Sequence, residues 1–145
     1  MANLQKFLDS MAKQDRAVRS RYHLTLQQAI DHLEVVTLVA PHAAVYFAHE
    51  QYHDCTVSHA GSYRGYYSDL ALTPVRGGTP MTAEALHALL VDTLGKTLEG
   101  YKGGDFLMDA DTPLWCSPYG DASGLAIVRM EYEDGLVQLF TKKVD

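Results

Sequence analysis

The sequence is poor in cysteine. Cys55 and Cys116 are the only two, they stand far apart, and neither belongs to a Cys-x-x-Cys pair. A disulfide framework and a cysteine-based zinc site are both excluded on that count, and free thiols in a reducing compartment are expected. No apolar core of the secretory type opens the chain, and no apolar run approaches the roughly 18 residues that a membrane helix requires. A cytoplasmic protein is the expectation. The catalytic motifs Gly-x-Ser-x-Gly and Gly-x4-Gly-Lys-Ser/Thr are both missing,. Cations are scarce as well: 12 Lys and Arg against 18 Asp and Glu leave a net charge of -6. Binding to nucleic acid needs clustered cations to neutralise phosphates, so neither nucleic acid nor membrane is an expected partner.

What is present suits one globular domain. The 145 residues are 47% apolar and 21% charged, enough to bury a core without staples,. The charge is unevenly spread. Residues 1–24 carry Lys6, Lys13, Arg16, Arg19 and Arg21 against Asp9 and Asp15, a sum of +3 that leaves -9 for the rest. The reading is a single domain with a basic helical arm, 1–24, on an acidic body, 25–145. Such an arm serves either as a solvated helix face or as a contact between subunits.

Apolar residues at Leu4, Phe7, Leu8, Met11 and Val18 predict a helix over 3–19,. Thr25-Leu26-Gln27-Gln28 is a capping box and starts a second helix, with Pro41 its latest stop,. The β-branched Val35–Val39 run fits either the last turns of that helix or a separate strand. A strand is expected over 43–48, a loop or ragged hairpin over 49–61, and one extended segment over 62–75. Thr82 caps a third helix whose buried stripe is Leu86, Leu89, Leu90 and Leu94, and Gly95 ends or loosens it,. Short strands follow at 106–108 and 114–116. Alternation of Ala126, Val128, Met130 and Tyr132 with Arg129, Glu131 and Glu133, then Asp134-Gly135, predicts a closing hairpin,. Because the strands follow one another through short loops, the expected fold is α+β: an antiparallel sheet with about three helices in one compact domain.

Candidate chemistry is thin. His49, His53, Cys55 and His59 are residue types that zinc accepts, and His49 and His53 would share a face if their segment were helical. The segment follows a strand and shows no helical stripe, so hydrogen-bonded or surface histidines are the reading and no metal or other cofactor is expected,. Ser62 and Cys116 are conceivable nucleophiles. Ser62 lacks the strained elbow that exposes a serine, and Cys116 has no basic neighbour to lower its pKa. Gly100-Tyr101-Lys102-Gly103-Gly104 sets a cation among glycines, suited to a phosphate or to a helix C-cap and turn,.

The densest stretch is Ser62-Tyr63-Arg64-Gly65-Tyr66-Tyr67, running into Ser68-Asp69-Leu70-Ala71-Leu72. Read as one strand, period two places Arg64 on the face of Leu70 and Leu72, which are core residues. A buried guanidinium needs a carboxylate, carbonyls or an anionic ligand around it. A structural salt bridge and a bound ligand meet that need equally.

The blocks Ser62–Tyr67, Leu70-Ala71-Leu72, Gly100–Gly104 and Thr112-Pro113-Leu114-Trp115 resemble, in this order, blocks of a family of small phage proteins. The resemblance spans about residues 43–130, and the basic N-terminal arm and the histidine-rich 49–59 segment match it less well. It implies a phage accessory protein in the host cytoplasm, directed against host immunity. The leading expectation from it is a non-enzymatic sponge that sequesters a phosphorylated, nucleotide-like immune signal, as a homodimer or higher homo-oligomer. Tyr63, Tyr66 and Trp115 would stack on the ligand, and Arg64 and Lys102 would meet its phosphates. Two alternatives remain: an inhibitor of a host protein by direct contact, and a nucleotide-processing enzyme with Asp69, Asp105 or Asp111 as acid or base.

Overall fold

A computed structural model of the chain describes residues 23–63, 69–99, 104–118 and 123–144. Helix α1 spans Leu26–Val39. Strands β1 (Ala44–Ala48), β2 (Cys55–Ser62) and β3 (Leu70–Arg76) follow, then α2 (Ala83–Thr93). Short strands β4 (Thr97–Glu99), β5 (Asp105–Leu107) and β6 (Leu114–Cys116) lead to the long closing pair β7 (Leu125–Glu133) and β8 (Leu136–Lys143). The helix expected at 3–19 lies outside the described residues.

Both helix starts are chemically explicit. Thr25 Oγ1 accepts the Gln28 N–H at 3.2 Å while Gln28 Oε1 accepts the Thr25 N–H at 2.9 Å, completing the capping box,. Thr82 Oγ1 accepts the Ala85 N–H at 3.1 Å at the head of α2. The Val35–Val39 run belongs to the last turns of α1. At the other end of the chain, Asp134 and Gly135 take φ of 51° and 80°, so the β7–β8 hairpin turns on the Asp-Gly pair with both residues left-handed,.

The sheet differs from the expected one. Its order is β1-β8-β7-β6-β3-β2, and it is mixed: β1 runs parallel to β8 and β3 parallel to β6, while the other neighbours are antiparallel. Short loops dictate antiparallel pairing only between strands that they join. The two parallel pairs unite strands remote in sequence, and the β3-to-β6 connection holds α2, β4 and β5, long enough for a crossover. Two helices, not three, are found among the described residues. The sheet curls until it is nearly closed, and β4 and β5 form a separate two-stranded ladder.

The seam between the edge strands is closed by side chain and loop. Val45 of β1 donates its N–H to Met81 O at 2.9 Å, and its carbonyl accepts the Thr56 hydroxyl of β2 at 2.5 Å. The same hydroxyl accepts the Met81 N–H at 2.9 Å.

One face of the sheet carries the main core. Leu70 and Leu72 of β3, Leu114 and Cys116 of β6, and Val137 and Leu139 of β8 meet Leu26, Ile30 and Leu33 of α1 and Leu86 and Leu90 of α2. A bulge between Ile127 and Arg129 alters the expected alternation of β7: Leu125, Ile127 and Met130 face this core, and Val128 is only half-buried,.

Candidate functional site

The segment 62–75 is not one strand. β2 ends at Ser62, β3 begins at Leu70, and Ser62 pairs with Leu70 across an antiparallel ladder. The chain therefore reverses between them, and period two cannot be carried from Leu70 back to Arg64. The inference that Arg64 faces the core loses its basis. Arg64 and Tyr66 belong to 64–68, between β2 and β3, and Lys102 to 100–103, all outside the described residues; Tyr63 and Trp115 are described.

Those two meet. Tyr63, fully buried at the end of β2, stacks on Trp115 of β6 with centroids 4.3 Å apart and planes 18° from parallel. They sit away from the main core, in a small cluster with Ala71 and Val144. Sequence makes the room. Trp115 pairs with Ala71 on one side and Ala126 on the other, and two alanines leave space for an indole over the sheet. The His23 ring lies 4.4 Å from the indole, tilted by 59°.

Polar groups tie this cluster to the hairpin. The Tyr63 N–H donates to Asp69 O at 3.0 Å, closing the ladder on either side of 64–68. The Asp69 carboxylate is 1% exposed and accepts the Trp115 Nε1–H at 3.1 Å. The Tyr63 hydroxyl accepts the Gly124 N–H at 2.8 Å. Gly124 has a φ of 73°, and a Cβ there would lie 3.2 Å from Val144 O, so glycine suits this position on both counts,. Both residues that flank 64–68 are thus held by buried partners in β6 and in the residues before β7. Replacing Tyr63 with phenylalanine keeps the stack but strands the Gly124 N–H. A loss of about 1–3 kcal/mol is expected in urea unfolding, with little change in the aromatic circular dichroism.

The sequence named Asp69 only as an acid or base and gave no role to His23 or Gly124. One signal was available: a carboxylate directly before the apolar Leu70–Leu72 run is carried into the sheet with it. The indole that meets it is 46 positions away, and no local pattern reveals that pairing.

The remaining candidates are dispersed. His49 Nδ1 accepts the Gln51 N–H and its ring stacks on Tyr52; His53 Nδ1 lies 3.0 Å from Glu50 O; His59 bridges Ser58 and Thr73. Among the described residues no three His, Cys, Asp or Glu side chains gather as a metal site would require. The Arg76 guanidinium donates to Asp54 Oδ2 and Gln51 O, both at 2.7 Å, pinning the loop before β2 and holding the Asp54 carboxyl below its ordinary range. Asp105 is exposed at the start of β5 and Asp111 is exposed in the turn before β6.

Both cysteines are free and buried. Burial, reinforced by nearby Cys55, pushes the Cys116 thiol up to about 12, and burial also raises that of Cys55. Neither supplies a thiolate nucleophile near neutral pH. Because the folded value of Cys116 exceeds the ordinary 9.0, the neutral thiol's contribution to stability is complete below pH 9 and is lost as pH rises towards 12,. Unfolding free energy should fall above pH 9, with a share from this group of at most about 1.4 kcal/mol per pH unit. Urea midpoints of Cys116→Val against wild type between pH 8 and 11 check this, and the variant should show the shallower decline.

No family model, no curated protein and no solved structure matches the chain. No helix among the described residues is long and apolar enough to cross a membrane.

Proposed function

We propose that this chain is a capture protein for a phosphorylated, nucleotide-like small molecule, with 64–68 as its principal contact. The observation that carries the reading is the buried base that holds Tyr63 and Asp69, the residues on either side of 64–68. Asp69 is held by the Trp115 indole, Tyr63 by the Gly124 amide, and the two rings are stacked on one another. A loop fixed at both ends loses less conformational freedom on binding, and affinity gains accordingly. The segment so mounted contains the Arg64 guanidinium, the Tyr66 ring and Gly65, groups suited to a phosphate, a base and close backbone approach.

This reading divides the expected contacts into two sets. Arg64 and Tyr66, with Lys102, meet the ligand. Tyr63 and Trp115 spend their facing surfaces on each other and act as positioning residues. Capture without turnover also suits the described residues, in which the two thiols are buried with raised pKa values and the candidate carboxylates are scattered. The phage resemblance supplies the class of ligand: a host immune signal such as a cyclic oligonucleotide or an ADP-ribose derivative.

A thermal-shift screen of cyclic di- and trinucleotides, ADP-ribose derivatives and inorganic phosphate tests the proposal. A true ligand at 100 times its Kd adds about 2.7 kcal/mol, equivalent to a Tm rise of about 5–10 °C for a chain of this size. It should be recovered chemically intact after the protein is denatured. Stabilisation by none of the compounds, or recovery of a cleaved product, would count against capture.

A further inference from the structure

The outer side of α1 has an apolar surface with no cover among the described residues. Val35, Leu38 and Val39 are 65%, 81% and 73% exposed, at i, i+3 and i+4 spacing, on the side opposite the buried Leu26, Ile30 and Leu33. A stripe of large aliphatic side chains so exposed at the end of a helix calls for a partner. Exposed Asp31 and Glu34 border it, and α1 contains no lysine or arginine.

We infer that the chain's own N-terminal segment, residues 3–19, docks along this face as the other half of an antiparallel helical hairpin. Three observations converge on that occupant. The first is pattern: Leu4, Phe7, Leu8, Met11 and Val18 make an apolar stripe at helical spacing,. The second is charge. Lys6, Lys13, Arg16 and Arg19 accompany that stripe and complement Asp31 and Glu34, whereas a second copy of α1 would bring carboxylates against carboxylates,. The third is reach. The chain is pinned just before α1 by the Leu24 N–H donating to Ile127 O at 2.7 Å and by Leu24 O accepting the Leu114 N–H at 3.1 Å. From that anchor a helix over 3–19 is about 25 Å long and α1 about 21 Å, at 1.5 Å per residue. Running back along α1, the segment carries Leu4–Met11 to the level of Val35–Val39.

Cross-linking in the full chain tests this, because buried Cys55 and Cys116 leave introduced cysteines as the reactive thiols. With a short bismaleimide, Leu8→Cys/Leu38→Cys should cross-link within one chain at least about 10-fold faster than Leu8→Cys/Gln27→Cys. The second pair places its α1 partner about 16 Å further along the helix. Equal rates, no cross-link, or cross-links only between chains would overturn the inference; the last outcome would assign the face to a second copy. Leu38→Asp, at a site too exposed to endanger folding, should speed tryptic cleavage at Lys6, Lys13, Arg16 and Arg19 by about 10-fold. An unchanged cleavage rate would overturn it equally.

Discussion

Replacing Trp115 with alanine should cost about 3–5 kcal/mol, a large share of the about 5–15 kcal/mol that holds a domain of this kind together. The indole is the only tryptophan in the chain and fills the space over Ala71 and Ala126. Its loss empties that volume, removes the ring stacked on Tyr63, and takes the Nε1–H from a carboxylate that is 1% exposed. The three effects share one site and do not simply add. Trp115→Phe separates them: it preserves a ring against Tyr63 but not the donor to Asp69, and a smaller loss of about 1–3 kcal/mol is expected. Since both variants lack tryptophan fluorescence, urea unfolding followed by far-ultraviolet circular dichroism is the appropriate measurement. If Trp115→Ala unfolds within 1 kcal/mol of wild type (on the order of the median effect of point substitutions), the cluster is not a fixed base for the residues on either side of 64–68.

The second large effect is expected at the seam. Thr56→Val keeps shape and volume while deleting the hydroxyl that gives its proton to Val45 O and receives the Met81 N–H. Two backbone groups lose their partners where the sheet edges approach, and a destabilisation of about 2–4 kcal/mol follows. Thr56→Ser retains both bonds and should cost about 1 kcal/mol through the missing methyl. Guanidinium unfolding of both variants distinguishes these cases, and amide hydrogen exchange should localise the early opening of Thr56→Val to β1 and the start of α2.

Local signals in the sequence located much of the fold. Thr25 and Gln28 marked the start of α1, Thr82 that of α2, and Asp134-Gly135 the closing hairpin, because each rests on chemistry within a few residues. Strand β2 was hidden: Cys-Thr-Val-Ser-His-Ala-Gly-Ser lacks large apolar side chains, only its first three residues are buried, and a bulge between Val57 and His59 breaks its period. The parallel pairings were hidden for a different reason. Nothing near Ala44 indicates Leu136 as its partner, and nothing near Leu70 indicates Leu114. The candidate site divides likewise. Its location at Ser62–Leu72 was legible from the concentration of tyrosine, arginine and glycine. Its geometry was not, because the reversal between Ser62 and Leu70 lacks a familiar two-residue turn, and the residues that anchor it come from the remote Trp115 and Gly124.

Capture at 64–68 makes one sharp demand, that Arg64 contribute to ligand binding and not to folding. Titration calorimetry of wild type and Arg64→Ala with the nucleotide selected by the thermal-shift screen, beside urea unfolding of both proteins, tests it directly. A charge-assisted contact to phosphate is worth about 1.5–3 kcal/mol, so Arg64→Ala should bind at least about 10-fold more weakly with an unchanged unfolding midpoint. Undiminished affinity in Arg64→Ala, or a loss of affinity matched by a loss of stability, would contradict the account.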